Sequence, residues 1–296
     1  MKTLTVITGP TASGKTALAL ELAKRTGMEI ISADSRQIYK DIPIGTGAPS
    51  REERAAVPHH LVGFLNLEDY YSASCFERDV LNLLLSERNF IMCGGSMMYV
   101  DAVVNGIDEI PTISTDVRDT IAQIKESEGK DGLLGRLKML DPVYYEEVDR
   151  KNLKRVAHAL EIIFESGKQV SELRTGQKKK RPFAIKTFAI DLPREVLFER
   201  INRRVDLMID KGLEEEARRV YAKRHLNSLN TVGYKELFLY FDGVYTREEA
   251  IEKIKRNTRV YAKKQLTWLK KNHDVIWLDG RCELDEITNQ ILCIIK

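Results

Sequence analysis

An apolar run, Thr3–Thr8, leads directly into Gly9-Pro10-Thr11-Ala12-Ser13-Gly14-Lys15-Thr16, and a helix-forming stretch, Ala17–Arg25, follows. The eight residues match G-x-x-x-x-G-K-[ST]. A strand before them and a helix after them is the setting in which that pattern becomes a phosphate cradle. Converging backbone N–H groups and the partial positive charge of the helix N-terminus hold the anion. Lys15 neutralises terminal phosphate oxygens, and the Thr16 hydroxyl is placed to hold Mg²⁺. The competing reading is an ordinary glycine turn, which has no use for the Lys-Thr pair. A strand–loop–helix unit of this kind implies a parallel α/β sheet.

The rest of the chain fits that frame. Met28–Ser32, Phe90–Cys93, Ala184–Ile190 and Val275–Leu278 read as further strands. Helices are expected at Ser74–Arg88, Glu195–Ile209, Leu213–Lys223 and Arg247–Lys271, with a last one ending near Ile295. Between about Ser114 and Gln177 strand character disappears, and amphipathic helices are expected at Thr115–Glu126, Gly132–Leu140 and Asn152–Glu165. The predicted fold is therefore α/β. A P-loop nucleotide-kinase-like parallel sheet flanked by helices is built from residues 1–113 and 182–296, and 114–181 form an all-helical insertion.

Composition narrows the class. Of 296 residues, 43% are hydrophobic and 31% charged, as in a soluble globular protein. No run of eighteen apolar residues exists, so no membrane span is expected. The N-terminal apolar run lacks a signal-peptide cleavage site. Cys75, Cys93, Cys282 and Cys293 form no C-x-x-C pair, which argues against a disulfide framework or a zinc site and for the cytoplasm. The net charge is +3, but its distribution is uneven. Residues 251–271 carry eight Lys or Arg against one acid, and Lys178-Lys179-Lys180-Arg181 form a second block. Such fields collect phosphates, although two solvated faces would look the same from charge alone.

A P-loop does not say whether its ligand is spent as fuel or consumed as substrate. In a hydrolytic NTPase a second apolar strand ends in the Asp that orders Mg²⁺ and water. Here Phe90–Cys93 ends in Gly94-Gly95-Ser96, and the acid, Asp34, follows the other strand. That arrangement points to a transferase.

The chain resembles the tRNA dimethylallyltransferase (tRNA isopentenyltransferase) family in its bacterial form. The resemblance rests on Gly9–Thr16, Asp34-Ser35-Arg36-Gln37-Ile38-Tyr39, Ile44-Gly45-Thr46, Pro58-His59-His60-Leu61 and Tyr71-Ser72-Ala73. It continues through Gly94-Gly95-Ser96, Arg155 with Ala159-Leu160-Glu161, Val232–Glu236, and Thr258-Arg259-x-Tyr261–Trp268. The ordered set spans nearly the whole chain, and its last block is the most distinctive. The resemblance implies transfer of a dimethylallyl group from its diphosphate to N6 of adenine 37, beside the anticodon of tRNAs reading codons that begin with U, with Mg²⁺ required.

By the same resemblance, Asp34 contacts the amine as general base. Thr11 touches the diphosphate near the breaking bond, and Gly9–Thr16 cradle it. An arginine shares the developing charge; Arg204 is the better positional match and Arg200 the alternative. The plain readings are a helix cap for Asp34, a loop hydroxyl for Thr11, and salt bridges within one helix for the arginines. Contacts to the anticodon stem-loop would fall on Asp34, Ser35, Arg36, Gln37, Ser96, Arg118, Lys154, Arg155, His158, Asn230, Gly233 and Lys235, although Arg118 also reads as a solvated charge. The helical insertion would grip the stem, and Lys178–Arg181 with the long basic helix would meet phosphates. His59 and His60, after Pro58, read as turn residues. A monomer is expected.

Three positions depart from the family pattern: Gly47-Ala48 where Ala-Lys is usual, His158 where a second arginine often stands, and Asn230 where Gln or Arg is common. On sequence grounds all three concern RNA handling rather than diphosphate chemistry. The rival functions are prenylation of a free adenine nucleotide, phosphate transfer by a small-molecule kinase, and non-catalytic RNA binding.

Overall fold

In the computed structural model, which describes residues 2–108 and 110–295, six strands form one parallel sheet. They are β1 (Thr3–Thr8), β2 (Glu29–Ser32), β3 (His59–His60), β4 (Phe90–Cys93), β5 (Ala184–Asp191) and β6 (Val275–Asp279). Their spatial order is β3-β2-β4-β1-β5-β6, and every neighbouring pair is parallel. β1 is buried along almost its whole length, as a central parallel strand must be when helices cover both faces.

Alternation along the strands feeds two cores. Ile7, Ile91 and Phe188 pack with Leu18, Leu22, Ile201 and Ile291 on one face. Leu4, Val6 and Met92 pack with Phe76, Val80 and Val100 on the other. A third cluster joins Ile38 and Ile42 to Leu213, Tyr234, Leu237 and Ile254. It roots the helices Leu213–Val220, Tyr234–Phe241 and Arg247–Leu269 in the sheet unit.

The chain divides into two units, 1–104 with 181–296, and 105–180. The second is all helical, with its own core of Ile121, Leu133, Leu137, Tyr144, Val156 and Leu160. It begins before the Ser114 expected from sequence because the segment from Asn105 is tied to its far end. The Asn105 carbonyl accepts the Lys179 N–H at 2.7 Å, and Asp108 accepts the Thr175 hydroxyl at 2.6 Å. Gly129, at φ 65°, breaks the Thr115–Leu140 helix between the two segments expected separately. Among the described residues, no helix is long and apolar enough to cross a membrane.

His59 and His60 differ from the turn expected of them. They form an edge strand on β2, and the His60 ring is 2.6 Å from the Glu29 carboxylate. Pro58 precedes the strand, and its carbonyl accepts the Ile30 N–H at 2.9 Å; a proline at the start of an edge strand costs no ladder bond.

Candidate active site

The carboxyl ends of β1, β2 and β4 each release a loop, the place where open parallel sheets bind ligands. β1 runs into Gly9–Thr16. Gly9 and Gly14 have φ of 146° and 100°, and Ala12 has φ 63°. A Cβ on Gly9 would stand 2.9 Å from the Ser13 hydroxyl, so only glycine fits the turn. The loop delivers Lys15 and Thr16 to the first turn of the helix Lys15–Thr26. The Lys15 ammonium donates to the Pro10 carbonyl at 3.2 Å. Burial holds the Lys15 pKa below the usual lysine range; Cys93 and Asp34 act against that shift, and Arg204 reinforces it. Cys93 is itself buried beside this lysine, and burial pushes its thiol up to about 11, so it stays neutral.

β2 ends at Asp34. Its Oδ1 accepts the N–H of Arg36 at 2.9 Å and of Gln37 at 3.4 Å. The cap-like role foreseen as the plain alternative is thus present in a turn, not a helix. The same carboxylate lines the cavity above the P-loop.

β4 ends at Cys93 and leads into Gly94-Gly95-Ser96. A Cβ on Gly94 would overlap the Ala33 carbonyl, so the glycine lets this loop lie against the Asp34 turn. The Ser96 N–H donates to the Ala33 carbonyl at 3.1 Å, and the Ser96 hydroxyl accepts the Ser35 N–H at 2.8 Å.

A residue without an assigned role in the sequence reading binds these loops together. Gln265, 2% exposed, accepts the Thr11 N–H at 2.9 Å and donates to the Gly95 carbonyl at 2.7 Å. Its neighbour one turn back, Tyr261, lines the cavity, and burial with the nearby Asp34 charge pushes its hydroxyl up to about 12. The basic, apolar-spaced pattern of this helix drew attention to charge and not to an internal amide.

Thr11, Lys15, Thr16, Asp34, Ser96 and Arg204 line one cavity of about 380 Å³. Arg200 does not line it; that guanidinium reaches the Ser13 carbonyl at 3.5 Å. Burial lowers the Arg204 pKa, and the Asp34 charge opposes the shift. Ser35, Arg36, Gln37, Asn230, Gly233 and Lys235 line the same cavity. Arg118, Lys154, Arg155 and His158 lie in the helical unit. Three of them, Lys154, Arg155 and His158, share the helix Leu153–Ser166, whose opposite face is core. His158 pairs with Glu161 at 2.9 Å.

The basic blocks are less free than their composition suggested. Arg181 is 8% exposed and pairs with Glu77 at 2.5 Å, and it also donates to the carbonyls of Val103 and Ala102. It is a structural residue and not a phosphate contact. On the long helix, Lys255 pairs with Asp206 at 2.8 Å and Arg259 donates to Asn202 at 2.5 Å.

The donor set suits magnesium. That ion takes one or two oxygens from protein and the rest from phosphate and water, and Thr16 supplies such an oxygen beside the phosphate loop. Among the described residues, no group of three or more His, Cys, Asp or Glu could hold a metal alone.

The sequence profile of the IPP transferase family matches residues 37–272. The tRNA dimethylallyltransferase 2 of Parabacteroides distasonis is 55% identical over 281 residues, 94% of each chain. The tRNA dimethylallyltransferase 1 of Bacteroides fragilis is 50% identical, covering 100% of this chain and 99% of that one. The crystal structure of the full-length tRNA isopentenylpyrophosphate transferase of Bacillus halodurans superposes with a TM-score of 0.73 at 36% identity, covering 100% of this chain and 96% of that one. A eukaryotic dimethylallyltransferase described as acting on tRNA gives 0.81 at 28% identity, covering 95% of this chain and 74% of its own. The ordered motifs, the parallel P-loop sheet and these likenesses agree: the chain belongs to the IPP transferase family, that of the tRNA dimethylallyltransferases.

Proposed function

We propose that the protein transfers the dimethylallyl group of dimethylallyl diphosphate to N6 of adenine 37 in tRNAs reading codons that begin with U, releasing diphosphate. The observation that carries this reading is the single cavity shared by the P-loop, Arg204 and Asp34.

The chemistry asks for three things. The adenine amine is a weak nucleophile because its lone pair is delocalised into the ring, so its N–H needs an acceptor. The leaving diphosphate needs its growing charge neutralised. The two reactants need in-line alignment. In this reading the Gly9–Thr16 backbone, Lys15, Thr11 and Arg204 hold the diphosphate, and Mg²⁺ held by Thr16 adds charge neutralisation when bound. The C1–O bond breaks with its electron pair leaving on the diphosphate, the N6–C1 bond forms, and the N6 proton passes to Asp34.

The base must leave the anticodon-loop stack to reach the cavity. Ser35, Arg36, Gln37, Ser96, Asn230, Gly233 and Lys235 then surround the nucleotide. Arg118, Lys154, Arg155 and His158 on the helical unit serve the anticodon stem-loop. The protein works as a monomer in the cytoplasm.

Incubation with radiolabelled dimethylallyl diphosphate, Mg²⁺ and unmodified tRNA tests the proposal. Label retained in RNA and mapped to the adenine beside the anticodon is the expected result. Label transferred to free AMP and not to RNA would replace this reading with nucleotide prenylation.

A further inference from the structure

We infer that Met208 limits the length of the prenyl chain that the site accepts, because it stands in the wall between the diphosphate cavity and a second cavity beside it. The inference rests on the proposed transfer of a prenyl group and on Arg204 as the arginine that meets its diphosphate. The second cavity measures about 670 Å³, against about 380 Å³ for the first. Among the described residues, Thr16, Gln37, Gly47, Pro49, Arg204 and Met208 line both. Thr16, Gln37 and Arg204 are polar, Gly47 has no side chain, and Pro49 is a rigid ring. Met208 is the flexible apolar side chain in this partition, of the kind that fills irregular gaps.

Arg204 and Met208 lie one turn apart on the helix Arg194–Asp210, where side chains four residues apart are neighbours, with Cβ atoms about 5–6 Å apart. The Met208 methyl is 3.5 Å from the point where Gly47 would carry a Cβ, a point that the Arg204 guanidinium also crowds. An arginine on the diphosphate therefore sets Met208 beside the carbons that follow it. Val205, Leu213, Val232 and Ile254 complete an apolar wall of the same cavity. A prenyl chain has no polar atom to pair, so burial against this wall is its favourable contact.

The partition is held from both sides. Met208 packs against the core cluster of Val205, Leu213 and Ile254. Its methyl faces a turn that is fastened in place. The Gln37 side-chain amide donates to the carbonyls of Gly47 at 3.0 Å and Thr46 at 3.3 Å. Glu216, fully buried, accepts the N–H groups of Ile44 and Gly45 at 2.9 and 2.8 Å, and the Tyr234 hydroxyl donates to the same carboxylate at 2.6 Å. Beyond the partition, Pro43, Ile44, Val62 and Leu207 offer apolar surface in the second cavity. Truncating residue 208 joins the two spaces and gives a second isoprene unit somewhere to lie.

The test measures kcat/KM for dimethylallyl and geranyl diphosphate, with an unmodified anticodon stem-loop as acceptor. The proteins are the parent, Met208→Leu, Met208→Val, Met208→Ala and Leu207→Ala, the last because Leu207 lines the second cavity and not the first. The parent is expected to prefer the dimethylallyl ester. A single methylene in an apolar pocket changes discrimination by about 10- to 200-fold. Met208→Ala is therefore expected to shift the ratio of the two kcat/KM values towards geranyl by at least about tenfold, and Met208→Val by at least about threefold. Met208→Leu and Leu207→Ala should stay within about twofold of the parent ratio. Both substrates meet the same protein, so a lower folded fraction cancels from the ratio, and Met208→Val carries the test should Met208→Ala not fold. A ratio within twofold of the parent in the truncated variants would overturn the inference and leave the proposed function standing. So would an equal shift in Leu207→Ala, or a parent that takes both esters equally well. A parent that transfers neither group would instead remove the proposed function, and this inference with it.

Discussion

Replacing Asp34 by asparagine removes a negative charge and a proton acceptor while leaving the local fold in place. Asp34 Oδ1 accepts the N–H groups of Arg36 and Gln37, and an asparagine carbonyl oxygen can accept both, more weakly. The turn that carries Ser35, Arg36 and Gln37 therefore survives the change. What disappears is the base proposed for the adenine amine. A positioned general base is worth about 10²–10⁴-fold, or about 2.7–5.4 kcal/mol on the barrier. Asp34→Ala loses the base and both backbone bonds, and each bond contributes about 1 kcal/mol to the turn. The assay is single-turnover transfer with saturating stem-loop, beside filter binding of the same RNA. Asp34→Asn is expected to fall by at least 100-fold in rate with RNA affinity within a few fold. Transfer by Asp34→Asn within threefold of the parent would refute the assignment of the base. A large loss of RNA binding with an unchanged bound rate would make Asp34 a recognition residue.

Gln265→Met keeps side-chain length but loses both bonds that tie Thr11 to Gly95; kcat should drop roughly tenfold with RNA affinity unchanged, and equal kcat would deny the tie a role in turnover. Glu216→Ala strands two N–H groups and the Tyr234 hydroxyl, at about 1–3 kcal/mol each. Chemical denaturation should show a loss of at least about 3 kcal/mol, and a loss under about 1 kcal/mol would contradict the packing described. Lys15 has its folded pKa below that of an unfolded lysine. Its protonated form therefore costs stability at pH below the folded pKa, and that cost fades as pH rises towards the ordinary lysine value. Lys15→Met should accordingly melt higher than the parent at neutral pH while binding the diphosphate substrate far more weakly. An unchanged or lower midpoint would contradict the cost assigned to the buried ammonium.

The sheet was readable because its signals are local. Thr3–Thr8, Phe90–Cys93 and Ala184–Asp191 are apolar runs of strand length, and the P-loop follows the first without interruption. His59–His60 was not readable as a strand, since two residues after a proline carry no periodicity and their pairing depends on β2. The helices Met97–Asn105 and Tyr234–Phe241 escaped because both are buried over much of their surface. A strong polar face, the usual helical signature, is therefore weak in them. In the site, residues proposed to touch ligand through a motif stood out, as Lys15 and Asp34 do. Residues that bond to other residues did not: Gln265 and Glu216 reach across separations that only the folded chain closes. Arg181 erred in the opposite direction, because a basic run looks the same whether its last member faces solvent or a buried Glu77.

The central claim is that the Gly9–Thr16 loop grips a diphosphate that departs while Asp34 receives a proton from a purine amine. A crystal structure with a non-reactive thio-analogue of dimethylallyl diphosphate and an anticodon stem-loop tests it most directly. The account predicts the diphosphate in the loop against Lys15 and Arg204, with an unstacked adenine N6 in hydrogen-bond reach of Asp34. A diphosphate bound elsewhere, or an N6 that faces away from Asp34, would contradict it.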